Sequence, residues 1–316
     1  MTDPAAAVVH RPLSRGAATI AVLCSAIGFS TITIATVIGT RDGTTLTTVV
    51  FGRFLLGALV LIPLAGGRRG LAIGRPHAGR ILLWGGVGQA VVNLLNLSAL
   101  AYIPAATVVF LFYTFPAWVT VIAAVRRTER IGVVRLVALL LSLAGILVIL
   151  GGPRAGSLSP IGASLSLAGA FMYALYIPVL RQLQIGTTTA VAVFYVAIGT
   201  CLSMLAYGAL MGELTWRMSP PTLGAIGWLA LIPTVLAMQL FLRGLETLGP
   251  VRTAIISTAE PFSAAILAAL LLDQPLTLST LAGGACIAVA VLLLQRPDGA
   301  SVADDAGRPA PGSSPA

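Results

Sequence analysis

Two ionisable side chains lie in the middle of long apolar stretches, Arg53 in FGRFLLG and Glu260 in STAEPFS. A charge at the centre of a bilayer costs at least about 2.5–3.5 kcal/mol, so each of them needs a compensating role. One hypothesis is a reciprocal ion pair that holds two parts of the protein together. The other is a substrate or proton site, in which the Glu260 carboxylate binds and releases a proton. A structural role is favoured for Arg53, whereas both hypotheses stay open for Glu260.

Amide side chains recur nearby at helical spacing. Gln89, Asn93 and Asn96 follow the spacing i, i+4, i+7, which places them on one face of a helix. Because lipid cannot satisfy an amide, such a face points toward other helices or a wet cavity. Interhelical hydrogen bonding is the favoured interpretation for Asn96, and both interpretations stand for Asn93. Thr253, Ser257 and Glu260 follow the same i, i+4, i+7 spacing and are expected to share a helical face as well.

Tyrosines complete the candidate set, since a buried phenol packs well and needs one partner for its hydroxyl. Tyr113 lies within a predicted helix just before Thr114-Phe115-Pro116, Tyr173 and Tyr176 share a helical face, and Tyr195 is a further candidate. Core packing and substrate contact are both open for these rings. The hypothesised substrate site is lined by Arg53, Asn93, Tyr113, Tyr173, Tyr176 and Glu260.

Several chemistries are disfavoured by what the sequence lacks. There is no G-x-x-x-x-G-K-[ST] phosphate-binding loop and no H-E-x-x-H zinc motif. The three cysteines, Cys24, Cys201 and Cys286, lie in separate apolar segments, which argues against disulfides or a metal cluster. No nucleophile–base pair is visible. We therefore expect no enzymatic activity, no metal and no cofactor.

The composition indicates which elements must position these residues. Of 316 residues, 57% are hydrophobic and 9% are charged, and the mean hydropathy is +0.98. A soluble domain has about 25% charged residues, so this chain is predicted to be an integral membrane protein. The net charge of +9 resides in arginines clustered at helix ends. That placement suits lipid headgroups better than nucleic acid, which is not expected as a partner.

Apolar segments of spanning length predict an all-α fold with ten transmembrane helices. A basic arm (1–16) and a disordered polar tail (296–316) flank two five-helix units, 17–151 and 160–295, joined by an external linker at 152–159. The predicted spans are 17–39, 44–65, 80–101, 105–125, 132–151, 160–182, 187–211, 222–243, 251–272 and 277–295.

Arginine placement predicts the orientation. With the N-terminus inside, fifteen arginines fall on the cytoplasmic side, whereas Arg41, Arg154 and Arg217 fall outside. The positive-inside rule therefore predicts that both termini are cytoplasmic.

An internal repeat is visible at a shift of 145 residues. ALAYIPAATVVFLFYTFP (99–116) aligns with GLETLGPVRTAIISTAEP (244–261), so that Pro116 meets Pro261. Five helices per unit is an odd number, which inverts the second unit in the membrane, an arrangement found in secondary transporters. Pro116, Pro178, Pro233 and Pro261 are each expected to kink a helix.

Three stretches resemble a known family: FGRFLLGALVLIPL (51–64), YTFPAWVTVIAAVRRTER (113–130) and LGPVRTAIISTAEPFSAAILAALLLDQPLT (248–277). In order and spacing they are similar to the ten-helix EamA-type transporters of the drug/metabolite transporter superfamily. The chain departs from the family pattern at Ala26-Ile27-Gly28, where Trp-Gly is usual, and at the two Gly-Glu-Arg ends. The resemblance implies export or uptake of small metabolites.

These observations favour a secondary transporter of the cytoplasmic membrane. It would move a small organic metabolite, amino-acid-like or drug-like, by alternating access, with export as the favoured direction and proton coupling through Glu260 as a hypothesis. The expected partners are the substrate, lipids and protons, and the protein is either a monomer or a homodimer. The alternative is a non-transporting membrane scaffold or lipid-binding subunit, in which the polar faces only hold helices together.

Overall fold

The computed structural model describes residues 13–103, 108, 111–129, 131–150, 159–272 and 278–294. Those residues form helices and turns, and no β-strand occurs among them. Arg130, Asp273 and the predicted linker, arm and tail lie largely or wholly outside the described residues.

The first half of the chain consists of helices that follow the predicted spans closely. A π-helix at Ile81–Val87 joins α5 directly to α6. The α-helices are α1 (Arg15–Ser30), α2 (Ile32–Thr40), α3 (Leu46–Leu64), α4 (Gly67–Gly70), α5 (Arg75–Arg80), α6 (Gly88–Ser98), α7 (Phe115–Val125) and α8 (Val133–Leu150).

The second half repeats this layout, including a π-helix at Ala230–Ala237 between α11 and α12. The α-helices are α9 (Pro160–Leu183), α10 (Thr189–Met211), α11 (Pro220–Leu229), α12 (Met238–Ser257), α13 (Ala259–Leu272) and α14 (Leu278–Leu294).

Six helical stretches are long and apolar enough to cross a membrane, judged by length and composition. They are Arg15–Thr40, Leu46–Leu64, Arg75–Ser98, Pro160–Leu183, Thr189–Met211 and Pro220–Ser257. Three shorter apolar helices are Phe115–Val125, Val133–Val148 and Leu281–Leu294. The chain is therefore an all-helical, multi-pass membrane protein.

Local signals set where the helices begin and end. The side chains of Ser14, Thr45, Thr188 and Ser219 each accept a hydrogen bond from the backbone N–H three residues later, which caps α1, α3, α10 and α11. Gly212 ends α10 in the left-handed conformation, with φ of 69°.

Three long helical stretches are broken near their middle, and a threonine marks each break. The hydroxyls of Thr31, Thr114 and Thr258 donate to the carbonyl three residues earlier, at 2.8, 2.7 and 2.6 Å. Each of these carbonyls also accepts from the backbone N–H of the same threonine, at 3.4, 3.2 and 3.1 Å, so the hydroxyl adds a second hydrogen bond at the break.

At Pro116 and Pro261 the expected kink takes the form of a helix break just before the proline. Both lie in the first turn of the helix that begins after a break, α7 and α13 respectively. A first-turn N–H has no intrahelical acceptor, so proline costs no hydrogen bond there. Pro178 lies inside the uninterrupted α9, and Pro233 lies inside the second π-helix.

The predicted end of the eighth span also needs correction. The helix predicted to stop at residue 243 continues to Leu248, and Gly249, with φ of 79° and ψ of 166°, separates it from the next stretch. The Glu129 carboxylate lies against this break: its Oε1 accepts from the Val251 N–H at 3.5 Å, and its Oε2 pairs with Arg135 at 3.1 Å. A loop of the first half thus holds the start of a helix in the second half.

The main helix pairings join one half to the other. Helix α1 packs on α12, α3 on α10, α6 on α9 and α8 on α14. Small residues permit a close backbone approach between the first π-helix and α10, where a Cβ on Gly86 would lie 2.3 Å from the Gly199 Cα. Each half therefore packs much of its helical surface against the other half.

Candidate functional site

The halves enclose a cavity of about 160 Å³ in the middle of the helical assembly. Its walls come from the breaks before α2, α7 and α13, together with α3, α6, α9 and α12. The residues that line it are Phe29, Ile32, Arg53, Gln89, Val92, Asn93, Asn96, Leu97, Phe112, Tyr113, Phe115, Tyr173, Leu180, Met238, Phe241, Ser257 and Glu260.

Arg53 is held from the opposite half of the chain. Its Nε donates to the Thr234 hydroxyl at 2.8 Å, and its side chain is only 5% exposed. The Thr234 hydroxyl donates in turn to the Leu229 carbonyl at 2.8 Å, which is also the oxygen that Pro233 cannot reach because proline has no N–H. Gly57, one turn beyond Arg53, allows this approach, since a Cβ there would lie 2.9 Å from Thr234.

The rest of the Arg53 guanidinium is available to a ligand. Among the described residues, Nε has the hydrogen-bond partner just named and the two terminal nitrogens have none. Because guanidinium presents its remaining N–H groups in a planar fork, it suits a bidentate carboxylate or another planar anion.

Glu260 lies in the first turn of α13, immediately after the break at Thr258. A helix N-terminus carries partial positive charge, so this position favours a carboxylate. The Tyr113 hydroxyl lies beside the Glu260 carboxylate, and Tyr173 is also close to it. The two breaks thus bring together a carboxylate from one half and a phenol from the other.

Aromatic rings form the wall around Glu260. Phe112 stacks on Tyr173 at 5.4 Å between centroids, and Phe115 meets Tyr173 edge-on at 4.9 Å. Tyr113 contacts Phe115 at 5.7 Å. Ring faces attract cations, so this wall suits a positively charged or apolar group of a ligand.

The amides of α6 divide into two kinds. The Asn93 side chain donates to the Gln89 carbonyl at 2.8 Å within its own helix and also lines the cavity. Asn96 Oδ1 is buried and has no hydrogen-bond partner among the described residues. The sequence favours interhelical bonding for Asn96, but the structure leaves its acceptor open at the cavity, where a ligand N–H would satisfy it.

Arg53 and Glu260 do not pair with each other. Both belong to the described part of the chain, and no contact within 4.0 Å joins their charged atoms, although both line the cavity. The hypothesis of a reciprocal ion pair is therefore wrong. The cavity instead contains two opposite charges, each positioned separately.

Two of the tyrosines are accounted for by packing. Tyr176 is buried outside the cavity, and its hydroxyl donates to the Gly85 carbonyl in the first π-helix at 2.6 Å. Tyr195 donates to the Leu71 carbonyl at 2.7 Å. Of the six candidate residues, five line the cavity and Tyr176 does not.

Sequence reasoning missed part of the wall. Thr234 is absent from the predicted site. The adjacent Pro233 has no N–H to donate to the preceding turn, which is a sequence signal that a nearby hydroxyl donates there instead. The phenylalanines Phe29, Phe112, Phe115 and Phe241 carry no polar group, and no sequence signal separates them from ordinary core residues.

Comparison with known proteins decides the family. The model of the "EamA-like transporter family" matches residues 16–151 and again 160–296. The chain belongs to the EamA-like transporter family. This family consists of membrane transporters, so the resemblance noted from the sequence is confirmed, and the two matches establish a two-repeat architecture.

Relatives agree with that assignment. An "uncharacterized inner membrane transporter", YicL of Salmonella typhimurium, is 32% identical to this EamA-like protein over 224 residues, which covers 70% of this chain and 74% of YicL. A solved crystal structure superposes with a TM-score of 0.77 at 21% identity, covering 89% of this chain and 99% of the other, which shows a shared fold. The protein is thus a multi-pass transporter of the cytoplasmic membrane.

Proposed function

We propose that this EamA-like protein is a secondary transporter that exports a small zwitterionic metabolite, amino-acid-like in its charged groups, in exchange for protons. One observation carries the proposal: a single cavity holds Arg53 and Glu260, opposite charges that do not neutralise each other. A charge inside a membrane protein is retained when it has a partner, and a zwitterion supplies both missing partners at once.

The contacts suggest how the substrate is oriented. Its carboxylate would face the free nitrogens of Arg53, which Thr234 holds by Nε. Its ammonium would face Glu260 and the rings of Phe115 and Tyr173. A cavity of about 160 Å³ limits the substrate to a small molecule.

Proton coupling is a consequence of the position of Glu260. One carboxylate can hold a proton or an ammonium group, but not both at once. Proton entry from outside would therefore release the substrate amine, and arrival of the amine from inside would displace the proton. This competition links inward proton movement to export.

Alternating access has a physical basis in the same region. The breaks at Thr114 and Thr258 separate half-helices that contact the cavity, and the Glu129 contact at Gly249 ties the halves together at one end of the bundle. Rocking of one repeat against the other about such joints would expose the cavity to each side in turn.

The experiment uses proteoliposomes loaded with the twenty proteinogenic amino acids under an imposed pH gradient. Efflux is measured by mass spectrometry, which also identifies the substrates. We expect Arg53→Gln and Glu260→Gln each to lower proton-driven efflux at least about tenfold, the effect of losing one charge-assisted contact. Arg41→Gln and Glu246→Gln, at exposed positions outside the cavity, serve as matched controls.

Two results would contradict the proposal. If Glu260→Gln retained full gradient-driven transport, proton coupling through this carboxylate would be wrong. If both cavity variants transported like the wild type, the cavity would not be the substrate site, and the membrane scaffold would regain support.

A further inference from the structure

A second cavity, of about 370 Å³, adjoins the central one. It lies between the start of α3, the end of α6 and the end of α10, at the end of the bundle opposite Arg69 and Arg75. Asn93 and Leu97 line both cavities, so the two meet at one turn of α6. We call this second space the vestibule; its walls are Thr45, Leu46, Thr47, Val50, Asn93, Leu94, Leu97, Ser98, Ala101, Met204, Tyr207 and Glu213.

The vestibule carries a single charge, the Glu213 carboxylate, and no basic side chain is among its lining residues. Glu213 is held in place from the other half: Thr47 donates to Oε2 at 2.6 Å, and the Thr48 hydroxyl donates to the Glu213 backbone carbonyl at 3.4 Å. Among the described residues Oε1 accepts no hydrogen bond, so it is free for a ligand.

We propose that the vestibule is a second substrate subsite that selects a primary ammonium group, with Glu213 as the specificity-determining residue. This inference rests on the proposed function, because it places Glu213 and Glu260 on one route for the same ammonium. The Asn93 amide lies at the point where the route passes from one carboxylate toward the other.

The chemistry favours an ammonium over a carboxylate at this position. A carboxylate in a cavity with low-dielectric walls concentrates cations and repels anions. An ammonium that leaves bulk water loses its hydration, and Glu213 with the surrounding hydroxyls of Thr45, Ser98 and Tyr207 replaces part of it. A substrate with a free carboxylate and no amine would lack this compensation.

The test measures charge selectivity directly. In a chain with Cys24, Cys201 and Cys286 replaced by serine, Ser98→Cys places one thiol in the vestibule of the purified full-length protein. Its rates of modification by trimethylammonium-ethyl and sulfonatoethyl methanethiosulfonate are compared with and without E213Q. We expect E213Q to lower the ratio of the modification rate by the cationic reagent to that by the anionic reagent about fivefold. This is the size of effect expected from one nearby charge that water partly screens. n-Butylammonium should slow the reaction when Glu213 is present, and n-butyrate should not.

Arg217→Cys is the control, because this position is exposed in the same loop and does not line the vestibule. Its rate ratio should change little with E213Q. Tyr207→Cys is a second reporter in case Ser98→Cys disturbs folding. An unchanged ratio at both reporters, no reaction at either, or equal protection by n-butyrate would overturn the proposal.

The outcomes separate the two hypotheses. Loss of selectivity with E213Q while Arg53→Gln still transports normally would support the vestibule and contradict the central site. Unchanged selectivity while Arg53→Gln abolishes efflux would contradict the vestibule alone.

Discussion

At the scale of single residues, the position of Arg53 depends on one hydroxyl. Thr234 accepts from Arg53 Nε and donates to the Leu229 carbonyl, so it fixes the guanidinium without neutralising it. A neutral partner of this kind keeps the charge available, whereas a carboxylate in its place would occupy it. Thr234 is therefore a positioning residue for the proposed site.

Thr234→Val should weaken transport without removing any charge. The methyl group that replaces the hydroxyl can neither accept from Arg53 nor donate to Leu229. We expect the KM for efflux to rise about tenfold, equivalent to about 1.4 kcal/mol, with a smaller change in kcat. Kinetics in proteoliposomes measure it. Thr234→Ser retains the hydroxyl and should behave like the wild type, and equal loss in both variants would contradict the role of the hydroxyl.

The sequence predicts polar residues of the site better than apolar ones. Arg53 and Glu260 stand out because a charge in a long apolar stretch is costly, and that cost is visible without a structure. Phe112 and Phe115 could not be found, because an aromatic ring that faces a cavity has the same composition signal as one that faces a helix. The sequence assigns Asn96 to packing because its predicted depth is near a helix end, and sequence does not show whether a neighbour satisfies its oxygen.

At the scale of elements, the cavity is formed by breaks between helices as well as by the helices themselves. The apolar runs predict the helices, and the breaks at Thr114 and Thr258 fall just before Pro116 and Pro261, which lack an N–H for the preceding turn. The hydroxyls of both threonines donate to backbone carbonyls at these breaks, which no hydropathy pattern records. The sequence therefore predicts a distortion at Pro116 and Pro261 but does not show that the helix stops and starts again there.

Gly249→Ala should destabilise the protein. Gly249 has φ of 79° and ψ of 166°, a conformation essentially restricted to glycine, and a Cβ there would lie 3.2 Å from Glu129 Oε1. We expect a loss of about 1–3 kcal/mol, seen as a lower Tm in detergent. Gly227→Ala is the control, since that glycine lies within α11 with open space around it. Equal stability of the two variants would contradict the strain argument.

Asp42 joins the two halves at the vestibule end. Hydrogen bonds from Thr44 and Ser219 hold the pKa of Asp42 below its ordinary value of 3.8. The Ser219 N–H and the Thr222 hydroxyl both donate to Oδ2 at 2.9 Å, which anchors the start of α11.

Asp42→Asn should therefore lower the Tm at neutral pH. Because the folded-state pKa is depressed, the stabilisation by Asp42 is complete above its ordinary pKa and is lost progressively as the pH falls below it. The difference in Tm between wild type and variant should shrink below about pH 4, measured by thermal unfolding over a pH series. A difference that is constant with pH would exclude the ionised form as its cause.

At the scale of the whole molecule, the pairings of α1 with α12 and of α6 with α9 are those that two related repeats produce. Helix α1 is in the first span of its half and packs on α12, in the third span of the other half. Helix α6 is in the third span of its half and packs on α9, in the first span of the other. The halves exchange site residues too, since Arg53 meets Thr234 and Tyr113 lies beside Glu260. We infer that the cavity forms only when both halves are assembled.

Orientation gives a whole-molecule prediction. Single cysteines replacing Arg41 and Arg217 should be labelled from the outside of intact cells by a membrane-impermeant maleimide, as expected from the arginine distribution. Cysteines replacing Arg69 and Thr128 should be labelled only after permeabilisation; all four positions are exposed. If a cysteine at Arg41 or Arg217 and a cysteine at Arg69 or Thr128 were labelled from the same side of the membrane, the predicted orientation would be wrong.

The two π-helices make the protein sensitive to chain length in an unusual way. Thr234 reaches the carbonyl five residues earlier, the spacing of the wider π turn. Deleting one apolar residue between Leu229 and Thr234 would restore ordinary winding and leave α11 and α12 at about the same relative angle, because a π turn takes up one extra residue. Hydropathy would be unchanged, yet Thr234 would stand four residues rather than five after the carbonyl that its hydroxyl now reaches. Because a π-helix occurs in both halves, at Ile81–Val87 and at Ala230–Ala237, each copy of the repeat contains one such length-sensitive segment.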